Sequence, residues 1–369
     1  MSLPPGTRIV ANDGSIECEV GDFLGMGREG TVYEVIASST GLSDIVIKII
    51  DGNRSSSQVL HHIEQLLTLE TKRFFYQTPS LECVLSTPFI SHDDKCCLLM
   101  PRAKGEVLET DDAWREVSQL PLNQKLYLAH QIAQGIKTIH QAGRIHADIA
   151  GPNIIIDKNQ LRSFIIDIDG GGIVNEVPAR VMGHPSWMAP ELELGGLPLD
   201  STLETDCWSL AVLLHYIIVG CSPFFFCDKI RDYALYEQNW PPNPHSFDWS
   251  KVTDKRKVSV IRKWLPWQHK KLEQIGDLAD LFRRCFGPGQ RNPKIRPTTI
   301  EWEQALSLRL GNKLLFNKLC PRCGHENQWN LVYCDNCAAV LHQALISCSR
   351  CGRFKPINAS FCPECGAGE

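Results

Sequence analysis

The sequence predicts an α+β fold in which a strand-rich first part is followed by a largely helical second part and a small metal-bound tail. Three observations predict it. Runs of β-branched and aromatic residues, which favour strands, recur between residues 16 and 100. Apolar residues at helical spacing take over in LNQKLYLAHQIAQGIKTIHQA, residues 122–142, and in TDCWSLAVLLHYIIVG, residues 205–220. Finally, eight of the 16 cysteines lie between Cys320 and Cys365, all in C-x-x-C pairs.

The totals exclude several classes. A chain of 369 residues has room for about two to three domains. At 43% hydrophobic and 22% charged it has an ordinary globular composition. A net charge of -4 and a pI near 6.3 give no overall footprint for nucleic acid or an anionic membrane. The start MSLPPGTRIV lacks a charged segment followed by an apolar core, so no signal peptide is expected. The longest apolar run, Leu210 to Gly220, is shorter than the roughly 20 residues a membrane span needs and contains His215. A cytoplasmic protein is expected. The eight cysteines outside the tail are expected to be small core residues.

Residues 16–50 read as strand, glycine turn, strand, loop, strand. Gly25, Gly27 and Gly30 stand in LGMGREGTVYEV. The G-x-G-x-x-G spacing also occurs in dinucleotide folds, but there a helix follows; here TVYEVIA reads as a strand. A hairpin folded over phosphates fits better, because missing side chains let backbone N–H groups approach oxygen. Lys48 interrupts the apolar run IVIKII. Residues 57–76 read as one helix, with Val59, Ile63, Leu66, Leu67 and Phe74 on its apolar face. LECVLSTPFI and KCCLLM read as two further strands, and residues 111–118 as a short helix or loop.

In the second part, Gly143 ends the amphipathic helix 122–142. IHADIAGPNIII follows, with Asp148 five residues before Asn153 and an apolar strand after it. A second strand, SFIID, leads into Asp167-Ile168-Asp169-Gly170. Then come GHPSWMAPELE (183–193), the buried helix around Trp208, and RRCFGPGQRNPKIRPTTIEW. Residues 222–271 carry Trp240, Trp249, Trp264 and Trp267. They read as a surface excursion anchored by aromatics, with a docking surface as the alternative.

These motifs, in this order, resemble protein kinases over about residues 16–310. The resemblance implies a bilobal domain, with an antiparallel sheet lobe over about 16–100 and a mainly helical lobe over about 104–310. It implies that Asp148 accepts the proton of a substrate hydroxyl and that Asn153 and Asp167 hold magnesium, with Asp169 a rival ligand. Lys48 would hold phosphates, braced by Glu64 or, second, Glu70. Gly25, Gly27, Gly30 and Val32 would cover the nucleotide, with Met100 to Ala103 as the hinge against adenine. His146 would be a packed structural histidine. Asp206 would cap the catalytic loop, and Arg296 would pair with Glu191. Two positions depart from the family. Ala147 replaces the arginine that binds a phosphorylated activation loop, so that switch is expected to be absent. Ala150 replaces the lysine that steadies the transferred phosphate. These departures keep a nucleotide-binding pseudokinase scaffold open as the alternative.

In the tail, Cys320, Cys323, Cys334 and Cys337 are repeated 28 residues later as Cys348, Cys351, Cys362 and Cys365. Four thiolates suit one tetrahedral zinc, and C-x-x-C offers two of them on one turn. Residues 318–369 resemble a double zinc ribbon, which implies two structural Zn²⁺, one in each half. So short a segment buries little core, so metal should supply its folding energy. The tail lacks a strong basic stripe, which points to protein contact and away from nucleic acid.

A departing kinase domain with terminal zinc ribbons, together with the string IDIDG, resembles bacterial serine/threonine kinases associated with tellurite-resistance clusters. That likeness implies ATP with Mg²⁺ or Mn²⁺, a protein substrate, and as associates a metal-dependent protein phosphatase and a von Willebrand factor A-type protein.

Overall fold

The run IVIKII is the fully buried strand β4 (Ile45–Ile50) of a six-stranded antiparallel sheet. The other strands are β1 (Arg8–Val10), β2 (Glu17–Met26), β3 (Gly30–Ser38), β5 (Thr87–Ile90) and β6 (Cys96–Pro101), in the order β1-β2-β3-β4-β6-β5. In this computed structural model the described residues are 3–311 except 28, 43, 51–54, 182, 185, 195–199, 228 and 253. In the tail they are 317–319, 326–328, 336, 345–347 and 354–356. One unit comprises Met1–Ala103 and Leu315–Glu369, the other Lys104–Leu314.

The sheet begins earlier than residue 16, because β1 pairs with β2 and adds Ile9 to a core of Val20, Tyr33, Ile47, Phe89 and Leu99. The helix expected over 57–76 is broken. α1 (Ser56–Leu66) starts on a capping box between Ser55 and Gln58. A new helix, α2 (Leu69–Phe75), starts at Thr68, whose hydroxyl accepts the Thr71 N–H. The restart shifts the apolar face by one residue, so Phe75 is buried while Phe74 is exposed. The strand expected at LECVLSTPFI is also shorter. Residues 79–84 form a 3₁₀ turn that starts at Pro79, and only Thr87–Ile90 pairs with β6.

In the second unit β7 (Glu106–Val107) precedes α3 (Asp111–Gln119), which is capped by Thr110. α4 (Leu122–Gln141) follows, then β8 (Arg144–Ile145), β9 (Ile154–Asp157), β10 (Arg162–Ile165) and β11 (Gly172–Ile173). β10, β9 and β7 form one small sheet, and β11 pairs with β8. After α5 (Pro190–Leu194) comes α6 (Leu203–Val219), which is buried on nearly every side, as its unbroken apolar composition requires. The excursion expected over 222–271 instead ends in a long helix, α7 (Lys257–Ile275), packed through Ile261, Leu265 and Leu272. Trp240 is buried as an anchor, its Nε1 donating to the Pro223 carbonyl at 3.0 Å. α8 (Asp277–Phe286) and α9 (Thr299–Leu310) complete the unit.

The eight cysteines before the tail are free thiols, seven of them buried and Cys221 half-buried. Burial pushes the Cys285 thiol up to about 12. No helix among the described residues is long and apolar enough to cross a membrane. In the tail β12 (Asn317–Leu319) pairs with β13 (Glu326–Gln328), and β14 (Leu345–Ser347) with β15 (Phe354–Pro356), both antiparallel. Cys320, Cys323, Cys334, Cys337, Cys348, Cys351, Cys362 and Cys365 lie outside the described residues.

Candidate active site

The loop that carries Asp148 is shaped by its neighbours. Gly143 closes α4 in a left-handed conformation (φ 69°), its N–H donating to the His140 carbonyl at 2.9 Å. Two residues of β8 then lead into His146, Ala147 and Asp148. Asp206, 1% exposed on the first turn of α6, accepts the N–H groups of His146 at 2.8 Å and Ala147 at 2.9 Å. Its Oδ2 also lies 3.0 Å from His140 Nε2. These bonds hold Ala147 at φ 68°, a conformation that costs an L-residue about 1 kcal/mol. The expected capping role of Asp206 is therefore what the structure shows.

His146 is fully buried. Its Nε2 lies 3.0 Å from the Ile166 carbonyl, which can only accept, so Nε2 carries the proton. Nδ1 then accepts the Asp148 N–H at 3.3 Å. The histidine is a packed support for the residue that follows it. Asn153 Nδ2 donates to the Asp148 carbonyl at 2.8 Å and to its Oδ2 at 3.0 Å. The other carboxylate oxygen, Oδ1, is buried with no hydrogen-bond partner among the described residues. Ala150 is fully buried, so no cation comes from that position.

Asp167 follows β10 in a left-handed conformation (φ 62°, ψ 38°) and is half-buried. Asp169 is different. It is 4% exposed, and Arg180 Nη2 donates to its carbonyl at 3.1 Å and lies 3.4 Å from its Oδ2. Of the two rival carboxylates, Asp169 is therefore engaged with an internal cation. Sequence reasoning missed Arg180. Its signal was that no other Lys or Arg occurs between Asp167 and Glu191.

Farther along, Glu191 and Arg296 form the expected pair in bidentate geometry, at 2.7 and 2.8 Å, with the arginine side chain fully buried. Arg296 also donates to the carbonyls of Gly289 and Glu204 and lies over the Trp208 ring. Trp187 of GHPSWMAPE stacks on Tyr216 with centroids 4.8 Å apart and lies 5.9 Å from Trp114. This aromatic stack also went unread in the sequence.

In the first unit Gly25 pairs with Val32 across the β2–β3 hairpin, and Gly27 N–H donates to the Gly30 carbonyl at 2.9 Å. A side chain at Gly30 would meet the Ile49 carbonyl at 2.3 Å, whereas nothing stands within 4 Å of a β-carbon at Gly25 or Gly27. Gly30 is thus packed closely against β4, while Gly25 and Gly27 stand open. Lys48 is 4% exposed, in register with Val32 on one side and Leu98 on the other. It is a central-strand residue and not a water-facing edge one. Met100 lies in β6 opposite Val46. Glu64 and Glu70 are both exposed, on α1 and α2. Burial pulls the Lys72 amine down to about 8, and the Glu64 charge opposes it.

The donor set suits a divalent cation and a polyphosphate. Asp167 and the amide oxygen of Asn153 are hard oxygen donors of the kind magnesium takes. The Oδ1 of Asp148, unpartnered among the described residues, leaves one buried acceptor for a donor that none of them supplies.

Comparison with known proteins agrees. Residues 18–305 match the family model described as protein kinase domain, and residues 320–366 match the double zinc ribbon. The chain is similar to serine/threonine-protein kinase pakA of Dictyostelium discoideum, 26% identical over 233 residues, which are 62% of this chain and 18% of that protein. It is similar to cell division control protein 7 of Schizosaccharomyces pombe, 25% identical over 61% of this chain and 20% of that one. Sporulation-specific protein 1 of Saccharomyces cerevisiae is 23% identical over 59% of this chain and 43% of its own length. The chain thus spans less than half the length of each of these relatives.

Proposed function

Because the chain belongs to the protein kinase family, we propose that it transfers the γ-phosphate of ATP to a serine or threonine hydroxyl of a protein substrate. The observation that carries this is the Asp148 carboxylate, held through Oδ2 by Asn153 while the buried Oδ1 has no partner among the described residues. Oδ1 takes the hydroxyl proton as the acceptor oxygen bonds to phosphorus and the bond from phosphorus to the bridging oxygen breaks. His146 and Asp206 fix the backbone around that oxygen. Magnesium, when bound, offsets the phosphate charge; Asn153 and Asp167 are its ligands in this reading. Lys48 holds phosphates with Glu64 as its brace, and Gly25, Gly27, Gly30, Val32 and Met100 line the nucleotide. Catalysis is then mostly positioning and electrostatics.

The catalytic part runs over residues 16–310 and the ribbons over 318–369. The ribbons hold two zinc ions and serve as a protein-contact module. The associates implied by the bacterial resemblance, a metal-dependent phosphatase and a von Willebrand factor A-type protein, belong to the same reading. The departures at Ala147 and Ala150 favour a second one, a nucleotide-binding scaffold acting through its ribbons. Purified chain is incubated with labelled ATP and Mg²⁺ or Mn²⁺ beside Asp148→Asn and Asp167→Asn. Label on the wild type or on a generic acceptor, lost in both variants, is the expected result. Nucleotide binding without label in any of the three selects the scaffold.

A further inference from the structure

We propose that α7 and the turn before it form a docking ridge for an acidic segment of a protein substrate. Naming the partner a substrate rests on the phosphorylation reading above; the ridge itself does not. Residues 249–271 carry eight Lys and Arg against one Asp, within a chain whose totals are 38 basic and 42 acidic residues. The single acid is already taken, because Asp254 pairs with Arg256 at 3.0 Å through both carboxylate oxygens. Arg262, Lys263, Lys270 and Lys271 make no ion pair among the described residues. Helices elsewhere in the unit carry intrahelical acid partners, such as Asp112 for Arg115 and Asp280 for Arg283. The unpaired cations at 262–263 and 270–271 lie about two helical turns apart, roughly one Debye length, so they build a shared positive field that an anionic partner relieves.

The ridge also carries exposed aromatics. Trp249 is 38% and Trp267 41% exposed, while the opposite face of α7 is buried through Ile261, Leu265 and Leu272. A surface of indoles and cations suits anionic partners in general. One detail separates them. Arg262 lies over the Trp249 ring at 5.1 Å and Lys271 over the Trp267 ring at 4.4 Å. Those ring faces are occupied by cations, so they are poor platforms for stacked bases. The cations still present N–H donors to carboxylates from those positions. Ile261, Leu265 and Leu272 are committed to the core, and the large apolar residues that α7 exposes are Val260 and Trp267, the latter with Lys271 over its ring, which leaves little apolar surface to insert into lipid. An Asp- and Glu-rich peptide is the occupant this arrangement fits.

The test uses the full chain and a fluorescent peptide rich in Asp and Glu, with binding read by anisotropy at low and raised salt. Salt-sensitive binding is expected. The double variant Lys263→Glu/Lys270→Glu should weaken it about tenfold, with phosphorylation of a generic neutral acceptor unchanged. The variant Lys263→Gln/Lys270→Gln should fall between, and Asp148→Asn should bind the peptide like wild type, so failed transfer and failed docking are read separately. Equal peptide binding by wild type and both double variants overturns the proposal. So does tighter binding of a single-stranded oligonucleotide or an anionic lipid vesicle that displaces the peptide.

Discussion

Arg180 is buried against Asp169, its Nη2 3.1 Å from the aspartate carbonyl and 3.4 Å from Oδ2, with both side chains under one-tenth exposed. The pair ties the end of the segment that follows Asp167 back to its beginning, and the Arg180 N–H adds a 2.7 Å bond to the Gly170 carbonyl. The only hydroxyl side chain between Asp167 and Glu191 is Ser186, and Ala147 stands where a phosphate-binding arginine is usual. An internal ion pair thus sits in a segment with almost nothing to phosphorylate.

Removing one side of this pair leaves a buried charge uncompensated, a change that costs about 3–5 kcal/mol. Arg180→Gln should therefore lower phosphate transfer at least tenfold and make the segment more sensitive to protease. Treating the wild-type chain with a phosphatase before the assay should leave its activity unchanged. Activity that falls on phosphatase treatment, or an Arg180→Gln variant with full activity, would overturn this account.

The Glu191–Arg296 pair makes a different prediction, about stability. Arg296 is fully buried and donates to Glu191 twice and to two carbonyls. Arg296→Met should destabilise the chain by about 3–5 kcal/mol, because the Glu191 carboxylate and the carbonyls lose their donors. Glu191→Gln should cost less, since it keeps hydrogen bonds to the guanidinium while removing one charge. Urea unfolding of the three chains ranks them, and equal midpoints would contradict the pairing.

How much of this was legible follows from what each feature depends on. The Arg296–Glu191 pair was readable because it needs particular residue types at recognisable motif positions, and Asp148, Asn153 and Asp167 are proposed on the same kind of spacing. The shared apolar face of α6 was readable from composition alone. The break at Thr68 was not, since a threonine among helical apolar residues reads as a neutral interior position until its hydroxyl takes the Thr71 N–H. α7 has a visible period in Ile261, Leu265, Gln268, Leu272 and Ile275, but Pro266 and the dense tryptophans and lysines hid it. Arg180 was hidden because its partner is fixed by a chain reversal that no local pattern announces.

His215 should make stability depend on acid. It is fully buried, with Nδ1–H donating to the Cys221 carbonyl at 2.7 Å and Nε2 facing the Gln268 amide nitrogen at 3.2 Å. The rings of Trp240, Phe282 and Phe286 surround it edge-on. A protonated ring would set two donors against each other at Nε2. Burial is the larger cause, and together with these partners it leaves the imidazole at about 3 in the folded chain. Its folded value lies below its unfolded one, so its contribution is complete above about pH 6.5 and is lost as pH falls towards 3. Each pH unit within that window should cost about 1.4 kcal/mol from this residue. Urea unfolding at pH 7 and pH 5 should show a larger loss in the wild type than in His215→Phe. Equal losses would remove His215 as the cause.

The tail repeats in structure as it does in sequence. Asn317 pairs with Gln328 and Leu345 with Pro356, so the second hairpin is the first shifted by the same 28 residues that separate the cysteine sets. In sequence, Cys320 and Cys323 fall between the two strands of the first hairpin and Cys348 and Cys351 between those of the second. Two equivalent hairpins favour two separate zinc sites, each completed by the following pair of the same half, and structural zinc of this kind contributes about 10–16 kcal/mol to folding. Metal analysis of the purified chain should give two zinc ions. Cys334→Ser should expose Cys320, Cys323 and Cys337 to alkylation while Cys348, Cys351, Cys362 and Cys365 stay protected, and Cys362→Ser should do the reverse. A strong chelator should open all eight thiols and leave the main unfolding transition in place, because the kinase domain buries its own core around Trp208, Phe282 and Trp302. If either single variant exposed both sets of thiols at once, the two halves would share their ligands and the repeat would not mark two sites.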